Sequence, residues 1–129
     1  MKNNFKPQKE WFKQAQYDYE TAKVMFRTGR YIYTIFMCHL SIEKALKGIY
    51  TKCHKKDVPK THDLNYLCEV INLNSPETFQ MFIDTLNDLS VPTRYPDELS
   101  LLLKQYKKEK TKNVLIQTKE LLLWLEKML

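Results

Sequence analysis

Glycine is scarce in this sequence, which has only Gly29 and Gly48 in 129 residues, 19 positions apart. A Walker phosphate-binding loop and a dinucleotide-binding fingerprint each need closely spaced glycines, so the sequence excludes both. None of the four serines stands in a G-x-S-x-G setting, which removes the usual sign of a hydrolase nucleophile. The sequence therefore offers little of the chemistry that marks the common enzyme classes.

Cysteine is also sparse, and its spacing argues against a metal site. Cys38, Cys53 and Cys68 form no C-x-x-C pair, and their odd number leaves at least one thiol unpaired in any intramolecular scheme. Cys38-His39 and Cys53-His54 are adjacent residues, whereas structural zinc sites normally use ligand pairs separated by two to five residues. We therefore expect a cytoplasmic protein in a reducing environment, with no metal and no cofactor.

Long apolar runs are absent as well. The longest uncharged run covers residues 31–42, twelve residues, whereas a bilayer-spanning helix needs about twenty. Residues 1–9 are polar and contain Pro7, so they lack the apolar core of a signal peptide. We expect no membrane association.

The composition that remains is that of a single globular domain. Hydrophobic residues make up 43% and charged residues 28% of the chain, and its length suits one core, so residues 1–129 are predicted to form one domain. The charge is uneven: residues 1–60 carry 13 basic and 5 acidic side chains, whereas residues 61–129 carry 8 and 10. This asymmetry is typical of a face that meets an anionic partner, and equally of a solvated basic surface.

Apolar residues recur every three or four positions in several segments, which predicts an all-α fold, an up-and-down antiparallel bundle of four to five helices. The predicted helices cover residues 8–28, 31–52, 61 or 63 to 71, from 76 until Pro92, and 108–129. Gly29 ends the first helix in a left-handed conformation, and the short link implies an antiparallel hairpin. Ser75 is predicted to cap the fourth helix, with Pro76 at its first position.

Two further expectations concern the burial of the second helix and the end of the fourth. Residues 31–42 are apolar nearly all round, so this half of the second helix is predicted to be central in the bundle, with an amphipathic half after Glu43. Pro92 and Pro96 are predicted to prevent a helix around Arg94 and to leave a rigid, exposed turn there. The pattern of residues 97–106 is ambiguous.

His39 and Glu43 share one stripe of the second helix at a spacing of four residues. A carboxylate beside a histidine keeps the histidine protonated to higher pH, which suits a general acid but also occurs in ordinary buried pairs. No third catalytic group is apparent, so we interpret His39 and Glu43 as a structural polar pair and predict no catalytic residue.

Lysines are the most frequent charged residues between Glu43 and Thr61. Lys44 and Lys47 flank the His39 stripe, and Lys47 stands four residues after Glu43 in the order that favours a surface ion pair. Lys52, Lys55, Lys56 and Lys60 complete the densest cationic stretch. A phosphate backbone would be attracted there, although Tyr50 is the only aromatic residue in the stretch that could stack on a base.

Three short motifs and one helical pattern together carry a family resemblance: E-K-A-L-K at residues 43–47, T-H-D-L at 61–64, R-Y-P at 94–96, and Trp11, Ala15, Asp18 and Ala22 in the first helix. Their order and spacing resemble the HEPN domain over nearly the whole chain. The resemblance implies a helical bundle, commonly a homodimer. It also implies a minimal nucleotidyltransferase partner in a toxin-antitoxin-like pair, with nucleotide or RNA as a ligand.

Many HEPN proteins are metal-independent ribonucleases that use an arginine followed, after four to six residues, by a histidine. Arg27, Arg30 and Arg94 are not followed by histidine at that spacing. We therefore expect a non-catalytic module that binds a partner nucleotidyltransferase and a nucleotide or RNA, with Lys44, Lys47, His62 and Arg94 lining an anion-binding cleft. Two alternatives remain open: a ribonuclease with an unconventional site such as His62 with Arg94, and a structural adaptor whose interface uses exposed aromatics such as Trp11, Phe12 or Trp124.

Overall fold

The computed structural model describes residues 5–129, and these form a bundle of six α-helices without a β-strand. The helices are α1 (Gln8–Arg27), α2 (Tyr31–His54), α3 (Leu64–Val70), α4 (Glu77–Arg94), α5 (Leu99–Gln105) and α6 (Lys108–Glu126). The all-α prediction is confirmed. The short helix α5 lies in the segment whose sequence pattern is ambiguous.

The first two helices form an antiparallel hairpin whose backbones approach closely. Gly29 supplies the left-handed turn between them, with φ +77°. The Ser41 hydroxyl donates to the Ala15 carbonyl at 2.7 Å, a contact that only small residues allow. At Gly48, a Cβ atom would lie 3.2 Å from the Trp11 Cβ atom, so a larger residue there would push α1 away.

Helix α2 is the centre of the bundle, because it packs against each of the other five helices. Its second half is the more buried one, and every residue from 41 to 51 except Lys44 is buried. Residues 31–42, predicted to be central, do contribute Ile35, Cys38 and Ile42 to the core, but this half is covered on fewer sides, and its Tyr33 is 57% exposed. The reason is that the start of α1, the end of α6 and the loop before α3 all meet the second half, whereas apolar composition alone does not show how many neighbours cover a turn.

Helix α4 continues through Pro92 to Arg94, so the predicted break at this proline is wrong. Pro92 lacks the N–H that would bond to the Asp88 carbonyl, but only Thr93 and Arg94 follow it in the helix, so one helical bond is lost close to the end of α4. The Thr93 hydroxyl bonds to the Ser90 carbonyl, and the Tyr95 N–H bonds to the Val91 carbonyl at 3.0 Å. Arg94 therefore lies on the last turn of α4 with its side chain 14% exposed, and not in an exposed turn.

Local hydrogen bonds determine how the N-termini of α3 and α4 are capped. Asp63 caps α3, and its carboxylate accepts from the Asn65 and Tyr66 N–H groups at 3.0 and 3.3 Å. At α4 the cap position is Pro76 and the helix begins one residue later, whereas Ser75 was expected to cap it. The Ser75 hydroxyl bonds to the Gln80 side chain at 3.3 Å instead.

None of the helices found in residues 5–129 combines the length and hydropathy that a bilayer crossing requires.

Candidate functional site

A buried cluster of charged and polar side chains surrounds Glu43 on α2, whose side chain is 4% exposed. Lys47 donates to its Oε2 atom, with 3.0 Å between Nζ and oxygen. Its Oε1 atom accepts from His62 Nδ1 at 2.9 Å and from Arg94 Nη2 at 3.4 Å. One carboxylate thus holds together side chains from three parts of the chain.

The fold brings these groups together through three elements. His39, Glu43 and Lys47 follow one another at four-residue intervals on α2, so they share one face of that helix. His62 immediately precedes the Asp63 cap, which fixes the start of α3 beside α2. Arg94 reaches the same place from the last turn of α4, a position that depends on the helix continuing past Pro92.

His39 is fully buried and contacts the Arg94 side chain more closely than the carboxylate. Its Nδ1 atom accepts from Arg94 Nη2 at 3.1 Å and lies 3.7 Å from Glu43 Oε1, while its Nε2–H donates to Asn87 Oδ1 at 3.4 Å. Burial lowers the pKa of His39 to about 4, against the opposing attraction of Glu43. The expectation that Glu43 keeps His39 protonated is therefore wrong, because desolvation outweighs the attraction, and the imidazole is neutral at pH 7.

Arg94 is held against both polar and aromatic groups. Its guanidinium lies 4.8 Å from the centre of the Phe36 ring, a stacking contact that suits a planar cation. Its Nε–H is buried and meets no acceptor among residues 5–129. Arg94 and Lys47 are both cations and share the single Glu43 carboxylate, so the cluster carries more positive than negative charge.

A cavity of about 280 Å³ opens beside this cluster, and His62, Arg94, Asn87, Asp63 and Tyr95 help to line it. We call it the Arg94 cavity. The side chain of His62 is 58% exposed, so its ring is the part of the cluster that meets solvent. The Asp63 carboxylate also borders the cavity and accepts from the N–H groups that it caps and from Asn87 Nδ2 at 3.2 Å, so one negative charge lies at the cavity wall near Arg94.

The predicted anion-binding residues are only partly brought together. Lys47, His62 and Arg94 all contact Glu43, but the ion pair of Lys47 is buried, whereas a surface pair was expected. Lys44 points elsewhere: its Nζ atom lies 2.8 Å from the Asp18 carboxylate, which is itself buried between α1 and α2. The cleft of four residues therefore does not form, because Lys44 directly follows Glu43 and consecutive residues of a helix point about 100° apart.

Asn87 is a member of the site that the sequence analysis did not single out. Its Oδ1 atom accepts from the Leu64 N–H at 3.0 Å as well as from His39, and thereby joins α2, α3 and α4. The signal was available: Asn87 lies four residues after the buried Ile83 and next to the buried Leu86. A polar residue on the inner side of an amphipathic helix is the feature to look for.

The cluster offers binding groups but no activated nucleophile. Burial raises the pKa of both Cys38 and Cys68 to about 12, so these thiols stay protonated at pH 7. In the part of the chain that the structure describes, no group of three or more His, Cys, Asp or Glu side chains could hold a metal ion. What remains is a set of cationic hydrogen-bond donors around one carboxylate, which suits the binding of an anion.

The aromatic residues considered for an adaptor interface are not the exposed ones. Trp11, Phe12 and Trp124 are all partly buried, and Phe12 and Trp124 pack against the core. The Trp124 ring lies 5.3 Å from the Phe79 ring, centre to centre. They are covered because they lie on the inner sides of α1 and α6, so any interface must use other side chains, such as Tyr17 or Tyr95.

Comparison with known proteins identifies relatives over most of the chain. A family model described as the HEPN domain matches residues 8–128. The crystal structure of TT1696 from Thermus thermophilus superposes with a TM-score of 0.83 at 22% identity, covering 95% of this chain and 98% of that chain. The structure of ST0689, an archaeal HEPN homologue, gives a TM-score of 0.75 at 23% identity, covering 95% and 97%. A search of curated protein sequences found no match.

Proposed function

The chain belongs to the HEPN domain family, and on that premise we propose that it is a non-catalytic binding module whose Arg94 cavity holds a phosphate group of a nucleotide or an RNA. Arg94 supplies the permanent charge, and His62 supplies an imidazole at the solvent side of the cavity. Phosphate oxygens are the acceptors that a guanidinium binds best.

The imbalance of charge around Glu43 is the observation that carries this proposal. A buried cation without its own counterion is unfavourable, and here Lys47 and Arg94 share one carboxylate. A bound phosphate next to Arg94 would supply the missing negative charge and an acceptor for donors that have none. The adjoining cavity of about 280 Å³ gives such a group room to enter.

A binding role also fits the protonation of the cluster better than catalysis does. His39 is neutral and already bonded at both ring nitrogens, so it is not free to transfer a proton. Glu43 is engaged by His62, Lys47 and Arg94, which leaves it poorly placed as a general base. The chain also lacks the spacing of arginine and histidine that HEPN ribonucleases use.

The proposal is tested by the fluorescence anisotropy of a short labelled RNA, with a nucleoside monophosphate as competitor and a metal chelator present. We expect Arg94→Gln to weaken binding at least about tenfold, which is the size expected for a lost charge-assisted hydrogen bond. His62→Ala should weaken it by less, since its ring is more exposed. Arg30→Gln and His54→Ala are the matched controls, because both residues are exposed and neither lines the Arg94 cavity.

Equal losses in the Arg94→Gln and Arg30→Gln variants would overturn the proposal, since only overall charge would then matter. Arg94 is mostly buried, so the unfolding midpoint of its variant must be measured alongside. His62→Ala changes an exposed side chain and keeps the test informative if Arg94→Gln fails to fold.

A second candidate function is RNA cleavage with His62 and Arg94 as an unconventional pair. It is favoured by one observation, that both side chains contact the same Glu43 oxygen and line the same cavity. Gel analysis of the RNA from the binding experiment decides between the two. Intact RNA supports the binding module, whereas cleavage that is lost in His62→Ala establishes the ribonuclease.

The wider setting of the proposal is a cytoplasmic homodimer that pairs with a minimal nucleotidyltransferase in a toxin-antitoxin-like system. Family membership supports the partner, and the free thiols of all three cysteines are compatible with a reducing compartment. Exposed apolar side chains at the end of α4 and on α5 are available to a protein interface, for this module as for a simple adaptor: Val91, Tyr95, Leu99, Leu101 and Leu103.

A further inference from the structure

A second cavity, of about 370 Å³, lies on the other side of the Glu43 cluster. Its walls come from the start of α1, the second half of α2 and the loop before α3, and its polar lining includes Lys6, Lys47, Asp57 and Lys60. We call it the Lys47 cavity. It shares no lining residue with the Arg94 cavity, so it can be examined independently.

Lys47 gives this cavity a buried charged wall. Its side chain is only 9% exposed, yet it borders the cavity, and within residues 5–129 its ammonium group makes one hydrogen bond, to Glu43 Oε2. An ammonium group has three N–H donors. Two donors of a largely desolvated cation are therefore available to a ligand, and electrostatic attraction is stronger there than at an exposed lysine.

The remaining charges of the cavity are mostly positive and are not neutralised locally. Lys47 is paired with Glu43, and the two other lysines, Lys6 and Lys60, face the single carboxylate of Asp57. Within residues 5–129, neither Lys60 nor Asp57 takes part in an ion pair, and the closest polar partner of Lys6 is the Gln14 side chain at 3.5 Å. Several ammonium groups around one opening match an anion with several oxygen atoms.

Trp11 defines what part of a ligand the cavity accepts. The Lys6 ammonium lies 3.9 Å from the centre of the Trp11 ring, and the Lys47 ammonium lies 5.8 Å from it. Because these cations occupy the ring surface, the indole is not available to stack on a base. The cavity therefore suits a phosphate group alone and not the base of a nucleotide.

We propose that the Lys47 cavity is a second anion site, in which Lys6, Lys47 and Lys60 bind a phosphate group. Phosphate carries more charge and more acceptor oxygens than a carboxylate, so it satisfies the three lysines better. The group could be free phosphate or the phosphate of an ester. This inference does not depend on the function proposed for the Arg94 cavity.

Trp11 fluorescence provides the test, because Trp11 lines the site and the chain has only one other tryptophan. In a Trp124→Phe background, inorganic phosphate is titrated at constant low ionic strength. We expect a saturable change in emission, because the bound anion alters the electrostatic field of Lys6 and Lys47 at the indole ring. Lys60→Ala should raise the dissociation constant at least fivefold, and Lys56→Ala, an exposed lysine of the same loop outside the cavity, less than twofold.

The outcomes separate the possibilities. No saturable signal, or equal losses in Lys60→Ala and Lys56→Ala, would overturn the second site. A nucleoside monophosphate that binds more tightly than inorganic phosphate would identify an ester as the source, and the reverse would identify free phosphate. NMR of the His62 ring reports the Arg94 cavity separately, so failure at one site is not mistaken for failure at the other. All three variants change exposed or conservatively replaced side chains, which keeps the fold intact.

Discussion

His39 shows how strongly burial controls the chemistry of a single residue in this fold. The imidazole is fully buried, accepts from Arg94 Nη2 and donates to Asn87 Oδ1, so both nitrogens are satisfied in the neutral form. A proton on Nδ1 would turn the contact with Arg94 into a repulsion between two cations. Glu43 at 3.7 Å is the one charged neighbour that favours the charged ring, and it does not compensate for the lost hydration.

We predict that this neutral histidine makes folding stability fall on acidification. The pKa of His39 is about 4 in the folded protein against 6.5 for a free histidine, so between these values the unfolded chain binds more protons. The stabilisation is complete above pH 6.5 and is lost as the pH falls towards 4, by up to about 1.4 kcal/mol per pH unit. Urea unfolding at pH 7, 6 and 5 measures the loss.

The matched variant for that experiment is His39→Asn, which keeps an acceptor near Arg94 and removes the titrating ring. Between pH 6.5 and 5 the native chain should lose about 1 to 2 kcal/mol more than the variant. Parallel curves for the two proteins would show that the folded state tolerates a protonated His39. A direct NMR titration of the ring should place its midpoint near pH 4.

Sequence reasoning identified the residue types of the site but not the direction in which every side chain points. The spacing of His39, Glu43 and Lys47 on one helical face follows from periodicity, and these three do lie together. Lys44 also stands near that stripe, but it turns to Asp18 on α1. Its partner depends on the packing of α1 against α2, which one helix's periodicity cannot specify.

Among the helices, α5 is the one whose stability rests most clearly on a single apolar contact. It has seven residues, too few to be stable as an isolated helix. Leu102 is its one buried residue and is 3% exposed. Tyr106, the residue after the helix, donates its hydroxyl to the Leu89 carbonyl at 2.7 Å. These contacts pack α5 and Tyr106 against α2 and α4.

We therefore predict that Leu102→Ala lowers the free energy of unfolding by about 2 to 4 kcal/mol, through lost burial and an unfilled cavity. Leu103→Ala is the matched control, because it makes the same change of residue in the same helix at a position that is 57% exposed. It should change stability by less than about 0.5 kcal/mol. Similar losses in both variants, measured by urea unfolding, would mean that helix propensity and not burial holds α5.

Helix existence could be predicted better than helix ends and burial. Caps and periodicity anticipate α1, α3 and α6 to within a few residues, because both are local properties. Whether Pro92 ends the helix could not be predicted from its neighbours in sequence. The contact of Arg94 with Glu43 and the hydrogen bond of the Thr93 hydroxyl stabilise the last turn of α4. The greater burial of the second half of α2 likewise arises from elements distant in sequence.

For the whole molecule, the separation of charge along the chain is partly undone by folding. Residues 61–129 are net acidic, yet Arg94, the one basic residue between 62 and 98 apart from histidine, is carried to Glu43 in the net basic half. The two cavities then lie on either side of this shared carboxylate. The two proposed anion sites thus depend on long-range packing and not on the lysine-rich stretch alone.

Because α2 packs against every other helix, we predict that the described bundle unfolds as one cooperative unit. Two single-tryptophan variants test this: Trp124→Phe leaves Trp11 near the α1–α2 contact, and Trp11→Phe leaves Trp124 against Phe79 of α4. In each variant the urea midpoint from fluorescence should coincide with the midpoint from far-UV circular dichroism, as two-state folding requires. A Trp11 transition that precedes the loss of helix, with a Trp124 transition that follows it, would instead divide the chain into an α1–α2 unit and a separately folding remainder.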